Sequence, residues 1–144
     1  ILEHTRLPDE TVAQIVRMKL DMVNLAGYED LYPAELSGGM KKRAGLARAM
    51  ALDPRILFFD EPSSGLDPVS SAELEATITR INAGTGATMV IVSHDLDLIF
   101  HIAHRVIMLD GDTRGIIAQG HPHELRESSR DPRVVRFLNR TLEG

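Results

Sequence analysis

Two short segments, residues 36–40 and residues 56–62, constrain the fold of this chain more than any other feature. The first reads Leu-Ser-Gly-Gly-Met and predicts a helix that begins at Ser37, because serine is a favoured N-cap. Gly38 and Gly39 would let a phosphate approach the N–H groups at the start of this helix. The second reads Ile-Leu-Phe-Phe-Asp-Glu-Pro, an apolar strand that ends in the carboxylates Asp60 and Glu61. The pair predicts an α/β protein with polar chemistry at a strand end and at a helix start.

The remaining apolar pattern predicts strands alternating with helices, as in a mostly parallel sheet flanked by helices. Residues 56–59 and 88–92 are short apolar runs, typical of strands buried on both faces. Residues 106–109 and 115–118 are predicted to form a hairpin across a Gly-Asp turn. The helices are predicted from Pro8 until Gly27, from Ser37, from Asp67 to about residue 82, after Asp95, and at 122–127 and 134–138.

Composition limits the possible functions. The 144 residues, 43% of them hydrophobic, are in the range of a single globular domain. A net charge of −5 provides no electrostatic footprint for nucleic acid, and the absence of cysteine excludes disulfides and thiolate zinc sites. No apolar run approaches the ~20 residues of a membrane span, and the start lacks the pattern of a signal peptide. We therefore expect a cytoplasmic protein, and the absence of an initial methionine suggests a chain cut from something longer.

The two carboxylates at the strand end have distinct chemical uses. Magnesium prefers oxygen ligands and keeps much of its water, so Asp60 can hold this ion through a water molecule. Glu61 points elsewhere and can orient or deprotonate an attacking water. The plainer alternatives are two surface carboxylates, an ordinary serine cap at Ser37, and a solvated basic face at residues 41–43.

Two further residues are candidates for function. Of six histidines, only His94 follows a predicted buried strand, in a Ser-His-Asp turn, so it alone receives a catalytic interpretation. His101 and His104 share a helix side, but no carboxylate-rich partner site is evident for a metal. Asp67 precedes proline and is predicted to cap a helix.

These clusters, in this order, resemble the second half of an ABC-type ATPase domain, with its signature motif, Walker B strand, D-loop and H-loop. The resemblance implies the C-terminal part of a P-loop NTPase domain. It implies part of the helical subdomain at 1–36, the signature helix and α/β core at 37–120, and C-terminal helices at 121–144. The phosphate-binding Gly-x-x-x-x-Gly-Lys-[Ser/Thr] loop of the family is missing from this sequence, since none of the three lysines follows a glycine. We therefore expect a fragment that does not hydrolyse ATP alone.

The resemblance also implies cofactors and partners. ABC domains sandwich ATP and Mg²⁺ between two subunits, so residues 37–39 would act on nucleotide held by a partner, a second copy in a homodimer. Asp60 would hold the metal, Glu61 and His94 would act in their own subunit, and Asp67 would help to join the two domains. An integral membrane permease would be the other partner, which places the protein at the inner face of the cell membrane, with no nucleic acid bound.

Met40 departs from the commonest signature, which has glutamine at this position. Leu-Ser-Gly-Gly-Met followed by basic residues resembles the ATPase of the Mla (toluene-tolerance) phospholipid transport system, and residues 121–125 and 131–138 are similar to the end of that subfamily. The resemblance thus implies transport of phospholipid or another hydrophobic solute.

Two other functional classes stay open at the level of the sequence. The chain could belong to a soluble ABC ATPase of DNA repair or translation, although the coiled coils and tandem domains of those proteins do not occur in these 144 residues. It could also be a non-catalytic interaction module that kept the fold.

In the family's sheet, the strand that leads into the phosphate loop lies between the strands that match 88–92 and 106–109. That strand is absent from these 144 residues, so we expect the isolated chain to self-associate through the exposed strands.

Overall fold

The computed structural model describes residues 1–141, so the last three residues of the predicted C-terminal segment 121–144 lie outside it. The chain divides into two compact units, Ile1–Val92 and Ser93–Gly144. The subdomain boundaries implied by the family resemblance remain predictions.

The first unit contains one parallel pair of strands together with the helices that precede and connect them. Its elements are α1 (Asp9–Met22), a 3₁₀ turn (Pro33–Glu35), α2 (Gly38–Ala49), β1 (Ile56–Asp60), α3 (Pro68–Thr85) and β2 (Thr88–Val92). The strands run in register from Ile56 opposite Thr88 to Asp60 opposite Val92. The helix starts predicted at Ser37 and Asp67 are confirmed, because both side chains accept hydrogen bonds from N–H groups of the first turn.

The end of α1 was predicted incorrectly at Gly27. The helix ends at Met22 because Asn24 adopts a left-handed conformation with φ of 57°. The N–H of Asn24 donates to Asp21 O at 3.0 Å, and the N–H of Leu25 donates to Leu20 O at 2.8 Å. This is a C-terminal cap of the Schellman type, in which asparagine takes the place that glycine most often fills.

The core of the first unit lies on one side of its sheet. Leu57 of β1 is buried, as is the apolar stripe of α3 formed by Leu74, Ile78 and Ile81. Lys19 of α1 is also buried, and its ammonium donates to the carboxylate of Asp53 in the turn before β1.

The opposite face of the sheet is exposed, so the prediction of strands buried on both faces is wrong for the described residues. Ile56 and Phe58 are 52% and 75% exposed, and Val90 and Val92 are 41% and 59% exposed. Alternate residues of a strand point to opposite faces, and within this unit the helices supply a cover for one face only.

The second unit is a hairpin packed with three helices. Its elements are α4 (Leu96–Ile102), β3 (Val106–Asp110), β4 (Gly115–Gly120), α5 (Pro122–Ser128) and α6 (Pro132–Asn139). The predicted hairpin is confirmed, with antiparallel pairing and an irregularity between Met108 and Leu109. The buried core joins α4 to α6 through Leu96, Ile99, Val134 and Leu138.

An ion-pair network fastens α6 to the end of β3. The guanidinium of Arg133 contacts Asp131 at 2.7 Å and Asp110 at 2.9 Å. The hydrogen bond from the Arg133 side chain lowers the pKa of Asp131 from 3.8 to about 2. Within residues 1–141, no helix has both the length and the apolar content needed to cross a bilayer.

Candidate functional site

The carboxyl end of β1 presents both predicted carboxylates. Asp60 is the last residue of the strand and is exposed, while Glu61 follows it and is half-buried. The N–H of Glu61 donates to Val92 O at 2.9 Å, so the parallel pairing with β2 extends one residue past the strand. Glu61 has a φ of 46°, in the left-handed region that residues with a side chain adopt rarely. The backbone therefore turns sharply here.

The start of α2 has the exposed polar end predicted for residues 37–39. Ser37 is exposed and its Oγ accepts a hydrogen bond from Met40 N at 3.2 Å. A Cβ on Gly39 would lie only 3.2 Å from Ser70 Cβ, so the glycine allows α2 to approach α3 closely. The N–H groups of a helix start, together with the helix dipole, favour an anionic group at this position.

Asp67 occupies the predicted cap of α3. Its carboxylate accepts hydrogen bonds from Val69 N and Ser70 N, both at 3.0 Å, and from Ser70 Oγ at 2.6 Å. The hydrogen bonds from the hydroxyl and the N–H of Ser70, in that order, hold the pKa of Asp67 below its ordinary value. The exposed carboxylate is thus charged and oriented by the helix that it caps.

Two basic residues of α2, which the sequence also allowed to be a solvated face, instead make specific contacts. Lys42 Nζ donates to the carbonyl oxygen of Glu61 at 3.2 Å and to that of Ser64 at 2.7 Å. Arg43 forms an ion pair with Glu73 of α3. The sequence gives a weak signal for these contacts, since a basic run in a helix is most often solvated. In the structure Lys42 holds α2 against the turn that carries Glu61, and Arg43 holds it against α3.

A cavity of about 290 Å³ opens beside β1, where Asp60 and Lys42 line it together with Phe58 and Phe59. The first unit contains Asp60, Glu61, Asp67 and residues 37–39, and of these Asp60 lines the cavity.

His94 begins the second unit rather than completing the first. It is exposed and stands two residues after β2, next to Asp95, whose carboxylate caps α4. Asp95 Oδ1 accepts from Asp97 N at 3.0 Å and from Leu98 N at 3.4 Å. The predicted cap at Asp95 is thus confirmed, and the role of His94 in the reaction remains a prediction.

Solved structures share this arrangement of elements. The cbiO1 protein of Clostridium perfringens, part of an ABC transporter complex, superposes with a TM-score of 0.79 at 27% identity, over 98% of this chain and 54% of its own. An ATP-binding cassette of an ABC transporter in its ADP conformation superposes with a TM-score of 0.77 at 23% identity, over 94% and 54% of the two chains. Fold and site together define an α/β domain of the P-loop NTPase class, and the chain covers about half the length of these solved structures.

Sequence comparisons find similar proteins within this class. The model for the ABC transporter family matches residues 3–64. The intermembrane phospholipid transport system ATP-binding protein MlaF of Haemophilus influenzae is 45% identical over 100% of this chain and 53% of its own length. MlaF of Escherichia coli is 43% identical over 99% of this chain and 52% of its own. A probable ribonucleotide transport ATP-binding protein of Mycobacterium leprae is 44% identical over 95% and 39%.

The chain is similar over its whole length to ATP-binding proteins of ABC transporters. It spans about half the length of the MlaF relatives that it matches.

Proposed function

We propose that this chain is the C-terminal part of the ATP-binding and ATP-hydrolysing subunit of an ABC transporter that moves phospholipid. One observation carries the proposal: within a single unit, Lys42 of α2 bonds to the turn that follows the Asp60–Glu61 strand end, and the start of α2 packs on α3 at Gly39. A phosphate-binding helix start and a metal-binding carboxylate are the parts that phosphoryl transfer requires. The MlaF relatives, which match across the whole chain, support phospholipid as the cargo.

The donor set at the strand end fits magnesium. Asp60 is exposed at the end of β1, so its carboxylate oxygens can reach an ion. Among residues 1–141 no cluster of three or more potential metal ligands occurs, so a site made only of protein ligands is not formed there. Mg²⁺ is usually bound through one or two carboxylates, with waters and substrate phosphates completing its shell. Asp60 would hold the ion through a water, and the ion would neutralise charge on the ATP phosphates.

Glu61 and His94 would serve the chemical step in their own subunit. Glu61 orients or deprotonates the water that attacks the terminal phosphate, since a half-buried carboxylate beside an exposed one can act on a water instead of the metal. His94, at the end of the neighbouring strand, assists this step.

The remaining site residues would act across a dimer interface. Residues 37–39 bind the terminal phosphate of ATP held by a second copy, and Asp67 helps to join the two copies. An integral membrane permease completes the transporter, so the subunit works at the cytoplasmic face of the membrane. The cbiO1 protein, whose fold this chain shares, is part of an ABC transporter complex, which supports such a partner.

The test is ATP hydrolysis by the full-length protein with two substitutions. Glu61→Gln should lower kcat by about 100-fold or more, the contribution typical of general base catalysis, while Mg-ATP binding persists. Ser37→Arg should also stop turnover, because a large cation at the helix start blocks the partner's phosphate, while each subunit still binds ATP. Normal rates in both variants would refute the assigned roles, and a full-length protein without ATPase activity would refute the function.

A further inference from the structure

Lys42 connects two segments that are distant in sequence. It lies in α2, and its ammonium reaches the carbonyl oxygens of Glu61 and Ser64, 19 and 22 residues further on. The side chain is half-buried, whereas its neighbour Lys41 is exposed. An ammonium group is a donor only, so it interacts well with two carbonyl oxygens that face the same point. The first turns of α2 and the backbone after β1 are thus joined through one side chain.

The backbone that Lys42 contacts is conformationally demanding. Glu61 has a positive φ, and its carbonyl oxygen also accepts from Ser64 N at 3.2 Å. The ring of Pro62 fixes the φ angle on the far side of the peptide plane after Glu61, so rotation of that plane would move the backbone that carries the Glu61 side chain. A cation held between the two carbonyls therefore favours one orientation of that plane. Residues in rare conformations persist when the surrounding contacts determine them.

The helix that carries Lys42 is itself held in place. Arg43 pairs with Glu73 of α3, and Gly39 allows close contact with Ser70. These contacts fix the position of α2, so the ammonium of Lys42 can determine the position of the turn that follows β1.

We propose that Lys42 is a positioning residue for Glu61: by bridging the carbonyl oxygens of Glu61 and Ser64, it holds the carboxylate in the geometry for water activation. The proposal rests on the proposed function of Glu61. Because Lys42 would act through the backbone of the turn, its loss should slow the chemical step and leave ATP binding intact.

The chain offers a matched control for this test. Lys42→Met removes the ammonium and keeps a flexible stem, and Lys41→Met makes the same change one residue earlier, at an exposed position. Lys42→Arg keeps a cation that can donate to both carbonyls. All variants are made in the full-length protein, and their thermal melting is recorded to establish that they are folded.

Steady-state ATPase assays should show kcat of Lys42→Met lowered by about 10- to 100-fold, the effect of a small misplacement of a catalytic group, with little change in the KM for ATP. Lys41→Met should match the unsubstituted protein, and Lys42→Arg should recover most of kcat. If Lys42→Met does not fold, Lys42→Gln replaces it, because glutamine keeps an amide donor. Lys42→Gln should lower kcat less than Glu61→Gln does, and it should leave the KM for ATP unchanged.

The outcomes separate this proposal from the function that underlies it. If the unsubstituted protein hydrolyses ATP and the Lys42 variants behave like Lys41→Met, positioning by Lys42 is wrong and the proposed function stands. A rise in the KM for ATP with kcat unchanged would also overturn it, since Lys42 would then support nucleotide binding. Absence of hydrolysis in the unsubstituted full-length protein would remove both proposals.

Discussion

The ion pair between Lys19 and Asp53 predicts an unequal response to substitution of its two members. The side chain of Lys19 is 5% exposed, whereas that of Asp53 is 77% exposed. The ammonium has left water and depends on the carboxylate for its stabilisation. The carboxylate keeps most of its hydration and depends little on the ammonium. Removal of Asp53 should therefore destabilise the fold far more than removal of the charge on Lys19.

The size of the effect follows from this asymmetry. Removing one member of a buried pair costs about 3–5 kcal/mol, because the other charge stays buried without compensation. Lys19 lines a cavity of about 560 Å³, where water can approach its ammonium, so we take the lower value of about 3 kcal/mol. Glycine is the suitable replacement, because Asp53 has a φ of 47° and alanine would add backbone strain. At about 2–4 °C per kcal/mol, Asp53→Gly should lower the Tm by about 9 °C.

The control is Lys19→Met, which keeps the apolar stem in place and leaves Asp53 in solvent. Its free energy of unfolding should change by less than about 1 kcal/mol, because a buried ion pair gains little over an apolar residue of similar volume. Adding Asp53→Gly to Lys19→Met should then cost little. Urea unfolding followed by circular dichroism, together with thermal melting, measures all three variants. Equal destabilisation by the two single substitutions, or a neutral Asp53→Gly, would refute the reasoning.

Three further outcomes are expected. The folded pKa of Asp131 is about 2 and its ordinary value is 3.8, so its contribution to stability is present above about pH 4 and is lost as the pH falls towards 2. Asp131→Asn should therefore flatten this part of a plot of Tm against pH. An unchanged slope would contradict the assignment. Leu138→Ala, in the buried core of the second unit, should cost about 3 kcal/mol in urea unfolding, and a loss below about 1 kcal/mol would show that the site collapses. The 144-residue chain alone should neither turn over Mg-ATP nor remain monomeric. Light scattering during size-exclusion chromatography should detect association through the exposed face around Phe58, and Phe58→Glu should reduce this association. A compact monomer would count against this interface.

Much of the local structure was predictable because its causes lie within a few residues of each other. Ser37 caps α2 through a hydrogen bond to the N–H three residues later, and Asp67 caps α3 in the same way. Asp60 and Glu61 were recognisable because an apolar strand leads directly to them. These signals need no knowledge of the rest of the chain, and together they indicated the family. The end of α1 was missed because asparagine replaced the expected glycine in the terminal left-handed position.

The sequence by itself thus determined the order of the elements, the caps of α2 and α3 and the choice of candidate site residues. Tertiary structure alone decided which charges are buried and which backbone groups they contact. Lys19 and Lys42 look like solvated helix residues in sequence, and Lys41, with the same side chain, is exposed. The sequence does not reveal which of these lysines is buried, because their partners are distant: Asp53 is 34 residues from Lys19, and Glu61 is 19 residues from Lys42. A charge is worth burying only where a distant segment supplies its partner, and only the packing of helices on the sheet brings those segments together.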